Sequence, residues 1–225
     1  MRRSFTGLAK SIWRRGLGKV SWEMLMMSLR TFAYRAYFFK ISHRQFLGLN
    51  LGSGPSKIKG FLNLDASPYN LPDILAQIDK IKLRSNSVSI IYASHVFEHI
   101  PRAKTTYVLA EWYRVLKAGG KLYISVPDIE FLFKTYLENI GEYFVEERRV
   151  LADRAIYLIY GGQHDRWDVH YNGYSFVTLK TLLESIGFRY VQRYDRAKLE
   201  FAPPNDISTA RIDGLPISLN VEGQK

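Results

Sequence analysis

The chain has 225 residues, 47% of them hydrophobic and 24% charged, with no cysteine and a formal net charge of +11. That size and apolar content suit one α/β domain with a buried core and exclude a disordered tract, while the lack of cysteine excludes disulfides and thiolate metal sites. The charge is uneven: residues 1–45 hold ten Lys or Arg against the single acid Glu23, whereas the rest holds 22 against 20.

Residues 1–45 read as a basic, aromatic-rich helical extension carrying Trp13, Trp22, Phe32, Tyr34, Tyr37, Phe38 and Phe39. Such a stretch fits attachment to an anionic bilayer surface or to a partner protein. It fits equally a helical cap that packs on the sheet or on a second subunit, so a dimer stays open. Arg30 and Arg35 interrupt it well short of the ~20 apolar residues of a membrane span, and no apolar run ends in a small-residue cleavage site. The expectation is a cytoplasmic protein that can sit peripherally at the inner membrane face. The pI of 9.7 raises nucleic-acid binding as a weaker third role for the arm.

Residues 46–65, FLGLNLGSGPSKIKGFLNLD, predict a buried strand, a Gly-x-Gly turn and a second strand ending in an acid. Gly52 and Gly54 allow a sharp turn and close approach of a ligand, and Asp65 at the end of the next strand is placed to accept hydrogen bonds from a ribose. The dinucleotide fingerprint wants a third glycine where Lys57 stands, and an acid about 20 residues on. Here 13 positions separate Gly52 from Asp65, which disfavours a pyrophosphate-binding helix start and leaves a nucleoside.

Further strands are predicted over 73–79, 88–93, 121–126, 188–194 and 215–221, with helices over 103–117 and 178–185. Buried strands alternating with helices imply a mainly parallel sheet covered on both faces. An insertion over 129–160 reads as two helices rich in aromatics and charge, either a substrate lid or a helical cover and dimer face.

The segments LNLGSG with Asp65, SHVFEH at 94–99 and VLKAGGKLYISVP at 115–127, in that order, resemble the class I S-adenosylmethionine-dependent methyltransferases. The longer stretches LNLGSGPSKIKGFLNLDASP, IYASHVFEHIPR, GGQ with HYNGYSFVTLKTLLESIGF, and ISLNV are similar to small type-11-like bacterial enzymes associated with surface-polysaccharide and glycolipid biosynthesis. The likeness covers residues 46–225 and leaves the N-terminal extension outside. It implies a Rossmann-like seven-stranded sheet with the last strand antiparallel and helices on both faces. It also implies S-adenosylmethionine as cofactor and a small-molecule or glycan acceptor, a sugar hydroxyl of a surface polysaccharide or lipid-linked intermediate foremost.

In that resemblance the cofactor would meet Gly52, Ser53 and Gly54 at its methionine part and Asp65 at its ribose. Asn50 stands where many relatives have an acid for the methionine amine. Gln77 and Ile78 take the adenine position, with Asp79 as the alternative to Gln77, and Ser94 closes the set after the fourth strand. Asn50, Gln77 and Ser89 each replace a commoner acid, which keeps a non-catalytic, membrane-associated relative in view.

Methyl transfer from a sulfonium asks the protein mainly to align donor and nucleophile and to remove a proton. His95, Glu98 and His99 would share a face if a helix starts there. They suit a general base with its orienting partner, a divalent-metal site, or loop capping, and no metal is assigned. A second polar cluster, Gln163, His164, Asp165, His170, Asn172 and Tyr174, falls on a glycine-rich loop. His170 is the first candidate for the base, with His95 and Glu98 as the other catalytic candidates. Nucleic-acid methylation is a further reading, but SHVF stands where base-methylating enzymes carry an Asn/Asp-Pro-Pro-aromatic motif.

Overall fold

The computed structural model describes residues 47–225 apart from 165, 166, 205 and 213; the N-terminal extension and its expected helix lie outside the described residues. Seven strands form one sheet in the order β3-β2-β1-β4-β5-β9-β6. The strands are β1 Gly48–Leu51, β2 Phe61–Asp65, β3 Ile74–Leu75, β4 Val88–Ser94, β5 Leu116–Pro127, β6 Arg189–Arg193 and β9 Ser218–Gln224. Strands β1 to β5 run parallel, and β9 lies antiparallel between β5 and β6. This is the Rossmann-like methyltransferase sheet with its final strand reversed. Every residue of β1 and β2 is buried, as expected for central parallel strands covered on both faces.

Helix α1, Thr105–Val115, follows β4 and turns Val108, Leu109, Trp112 and Val115 onto the sheet. The indole Nε1 of Trp112 donates to the carbonyl of Ile78 at 2.9 Å, tying the helix to the loop after β3. On the same face, α4, Phe176–Ile186, packs against α1. It starts in a capping box between Ser175 and Thr178 and stops at Gly187, whose φ of 116° suits only glycine.

The opposite face is covered differently. Among the described residues its cover is the segment 195–209, which holds two 3-10 turns and no α-helix. Phe201 stacks on Phe61 with ring centroids 5.0 Å apart and meets Tyr92 and Tyr123 edge-on. Tyr92, Arg196, Asp206 and Ser208 form a buried polar network under it. Burial and the hydrogen bond to Asp206 push the Tyr92 hydroxyl up to about 12.

The expected insertion is two helices, α2 Ile129–Ile140, capped by Asp128, and α3 Glu146–Tyr160. They pack on each other and, through Leu132 and Ala155, on Ile212 and Ile217. The strand expected over 215–221 divides instead. Leu215–Pro216 (β8) pairs with Arg211–Ile212 (β7) in a separate hairpin, and β9 begins at Ser218, because a proline N cannot donate to a continuous ladder. The strand expected over 73–79 shortens to the two residues of β3 at the sheet edge, where Leu71 already has φ of +47°.

Candidate active site

Only residues 52–60 join β1 to β2, without a helix, so the glycine turn leads directly to the next parallel strand. Gly52 and Gly54 have φ of +59° and +51°. A Cβ on Gly52 would drive into the side chain of Val96, whereas one on Gly54 would meet nothing within 4 Å. Gly52 is glycine because the fourth-strand loop packs on it; Gly54 faces open space, the approach a ligand needs.

Asp65 ties this turn to β2. Its Oδ2 accepts the Gly54 N–H at 2.7 Å, and its Oδ1 accepts the Ser67 N–H at 2.7 Å and the Asn70 amide at 3.2 Å. The Ser53 N–H goes to the carbonyl of Leu64 at 3.0 Å. The acid expected to meet a ribose therefore also sets the conformation of the glycine turn.

Asn50 is buried, and its amide donates to the Ser56 carbonyl at 2.9 Å and to Asn63 Oδ1 at 3.0 Å. Asn63 in turn takes the Ile58 N–H and donates to Asp73. Asn63 and Asp73 were not among the sequence-derived site residues, yet they pin β1, β2 and the start of β3 together. A polar side chain inside an otherwise apolar, fully buried strand needs partners, which was the signal. Gln77 is exposed and Ile78 buried, with the Ile78 carbonyl already held by Trp112.

β4 pairs with β1 so that Leu51 lies opposite Ala93; the chain leaves β1 at Gly52, while Ser94, the last residue of β4, still pairs with Ser125 of β5. The Ser94 hydroxyl is buried without a hydrogen-bond partner. His95 then takes φ of +48°, a left-handed backbone costing about 1–3 kcal/mol for a non-glycine residue and most often found at functional sites. Its N–H donates to the Ser125 carbonyl at 2.9 Å, and its ring Nε2 lies 2.8 Å from Ser218 Oγ.

Residues Phe97–His99 make one 3-10 turn rather than the start of an α-helix, and this turn receives the loop of the second polar cluster. The Glu98 carbonyl accepts the N–H groups of Tyr171 and Asn172, at 2.9 and 3.3 Å, and the Asn172 side chain donates to Ile100. His170 is thereby brought against a segment 71 positions earlier in the chain. The two rings His99 and His170 meet edge-on with centroids 4.7 Å apart. His99 is not among the sequence-derived catalytic candidates, and the structure sets its ring against that of His170. His164 stays exposed, and Asp165 lies outside the described residues.

At the centre is Glu98, 0% exposed. Neither carboxylate oxygen has a hydrogen bond. His95 Nδ1 stands 3.2 Å from Oε1, near enough for charge attraction but off the line of a hydrogen bond, and His170 Nε2 stands 4.0 Å from it. Burial alone would raise the carboxyl; contact with His95 and the charges of His95, His99 and His170 outweigh it and hold Glu98 below the usual carboxylate range. Burial pushes His170 down, opposed by the charge of Glu98. The Tyr174 hydroxyl is also buried without a partner, and its pKa is raised first by burial and then by Glu98.

Residues 51–124, from the end of β1 into β5, match the family model described as a methyltransferase domain. With the sheet order and the glycine turn bound to Asp65, this makes the protein an S-adenosylmethionine-dependent methyltransferase. Among solved structures, a possible exported protein of Bordetella parapertussis has a TM-score of 0.51 at 14% identity, over 87% of this chain and 67% of its own. That is a likeness of fold. A SAM-dependent methyltransferase from Archaeoglobus fulgidus gives 0.49 at 15% identity, over 88% and 94%. One from Mesorhizobium loti gives 0.45 at 17%, over 80% and 90%. No curated protein matches the chain. Among the described residues no helix is long and apolar enough to cross a membrane.

Proposed function

We propose that the protein moves the methyl group of S-adenosylmethionine to a hydroxyl of a small-molecule or glycan acceptor, foremost a sugar of a surface polysaccharide or lipid-linked intermediate. The observation that carries this is the Glu98 cluster at the edge where β1 and β4 end: a buried carboxylate with His95 and His170 against it, beside the glycine turn. A hydroxyl is a poor nucleophile until its proton is removed as the C–O bond forms, and in this reading His95, Glu98 and His170 serve that activation.

In this reading Gly52, Ser53 and Gly54 hold the methionine part and Asp65 the ribose. Asn50 offers its amide oxygen, both its N–H groups being committed within the protein, and Ile78 with Gln77 or Asp79 borders the adenine. Ser94 supplies a hydroxyl at the edge between donor and acceptor. Half-exposed Tyr160 and Tyr171, on either side of the His170 loop, give flat faces of the sort that pack on sugar rings. The sequence likeness supports the glycan assignment, and the basic extension supports action near an anionic membrane.

The test is incubation of the full chain with methyl-labelled S-adenosylmethionine and either extracted glycolipids and polysaccharide precursors or total RNA. Label in the glycan fraction, lost in Asp65→Ala, is expected. Label confined to RNA overturns the acceptor class, and no calorimetric binding of S-adenosylmethionine overturns the cofactor site.

A further inference from the structure

We propose that Glu98, His99 and His170 bind one divalent transition-metal ion. The first ground is the state of the two rings. His99 Nδ1 lies 3.0 Å from the Val169 carbonyl and His170 Nδ1 lies 2.9 Å from the Leu158 carbonyl. A carbonyl only accepts, so each Nδ1 carries the hydrogen, and in each neutral ring the lone pair is on Nε2. A ring whose Nδ1–H is held by a backbone carbonyl and whose Nε2 is offered elsewhere is the usual arrangement of a metal-binding histidine.

The second ground is the carboxylate. Glu98 is fully buried and both its oxygens lack a hydrogen bond, a costly state unless a positive charge compensates it. Around it the Tyr174 hydroxyl makes no hydrogen bond, His95 Nδ1 lies 3.2 Å from Oε1 without forming one, and His170 Nε2 stands 4.0 Å from Oε1. A cation between the Glu98 carboxylate and the Nε2 atoms of the rings compensates that buried charge.

The spacing fits. One donor atom from each of Glu98, His99 and His170 lies within 4.8 Å of the others. Bonds of ~2.1 Å in tetrahedral geometry set such atoms ~3.4 Å apart, so modest side-chain rotation closes the site. Glu98 is buried while the two rings are partly exposed, so the ion can enter from the loop side. His95, 3.2 Å from Oε1, orients the carboxylate. Two imidazoles and a carboxylate select zinc, manganese, iron or cobalt over magnesium or calcium. Three protein ligands leave a position open, as in catalytic rather than structural sites.

The ion's role in the reaction, unlike its binding, rests on the proposed acceptor. A hydroxyl oxygen at the open position loses its proton to solvent more readily. The oxygen lone pair then forms the O–CH3 bond as the C–S bond breaks, and its electron pair returns to sulfur, leaving S-adenosylhomocysteine. His170 thus acts through the ion and not as the base itself.

The test uses the tag-free full chain, stripped with chelator and titrated calorimetrically with Zn2+ and Mn2+. One ion per chain is expected, with affinity lowered by about tenfold or more in Glu98→Gln, His99→Ala and His170→Ala and unchanged in His164→Ala. Where an alanine variant melts early, His170→Asp, which restores a ligand atom, is expected to bind. In the wild type loaded with Co2+, two hyperfine-shifted imidazole N–H resonances are expected from the carbonyl-bonded Nδ1 atoms. No saturable binding in the wild type, affinity unchanged in His99→Ala, or a cobalt spectrum without imidazole signals overturns the site. S-adenosylmethionine binding measured on the same stripped protein fails separately, since only the donor assignment depends on it.

Discussion

The Gly54 N–H points into the Asp65 carboxylate, 2.7 Å from Oδ2, so the residue that would grip the ribose also shapes the turn that would grip the methionine. Removing the carboxylate should then act twice. Asp65→Ala leaves the Gly54 and Ser67 N–H groups and the Asn70 amide without their acceptor, and hydrogen bonds to a charged group contribute about 1.5–3 kcal/mol each, with incomplete additivity. A stability loss of about 2–3 kcal/mol in urea unfolding is expected, together with loss of S-adenosylmethionine binding by calorimetry. Full-strength binding in a folded Asp65→Ala would remove Asp65 from the cofactor site.

The two glycines should respond differently to alanine. At Gly52 the new methyl enters Val96, in addition to the cost of a positive φ; at Gly54 only the φ cost applies. That conformational cost is about 1–2 kcal/mol, so Gly54→Ala should be milder by thermal melting. The double variant Gly52→Ala with Val96→Ala should recover only part of the clash, because the Val96 Cβ, 2.6 Å from the new methyl, stays in place. Equal destabilisation by the two single substitutions would show that Val96 does not press on Gly52.

Legibility in the sequence followed periodicity and local chemistry. The glycine turn, β2, both insertion helices and α4 were readable because apolar spacing, caps and glycine stops sit within a few residues of one another. The segment 195–209 was not, because it covers a sheet face through Phe201 and a network joining Tyr92 to Asp206, 114 positions apart, and leaves no periodic trace. The same holds in the site. His95, Glu98 and His99 could be grouped by spacing, but that His170 rather than His164 would join them depends on the Glu98 carbonyl accepting from Tyr171 and Asn172, a long-range contact.

Asn50 offers a test of why an amide stands where an acid is the commoner residue. Both of its amide hydrogens go to oxygens, the Ser56 carbonyl and Asn63 Oδ1. Asn50→Asp would place a carboxylate against two acceptors in a buried position, so restoring the acid should weaken the protein by about 2–4 kcal/mol, from lost bonds and like-charge contact. A reversal by Asn63→Lys is not expected, since Asn63 also binds Ile58 and Asp73. Chemical denaturation of the single variant checks this. A stable Asn50→Asp with tighter cofactor binding would mean that the loop can re-form around the acid.

Tyr174 separates packing from chemistry. Its ring stacks on Phe97 with centroids 5.1 Å apart, and its buried hydroxyl has no partner. Tyr174→Phe keeps the stack and deletes a polar group whose desolvation is uncompensated, so the melting temperature should hold or rise, by up to about 1 kcal/mol of stability. If the hydroxyl is kept for the reaction, kcat should fall while the KM for S-adenosylmethionine stays, because the hydroxyl feels the charge of Glu98 and the ring packs on Phe97. A Tyr174→Phe variant that melts several degrees lower would instead mean that the hydroxyl is satisfied in the folded protein, by water or by a bound group at the Glu98 cluster.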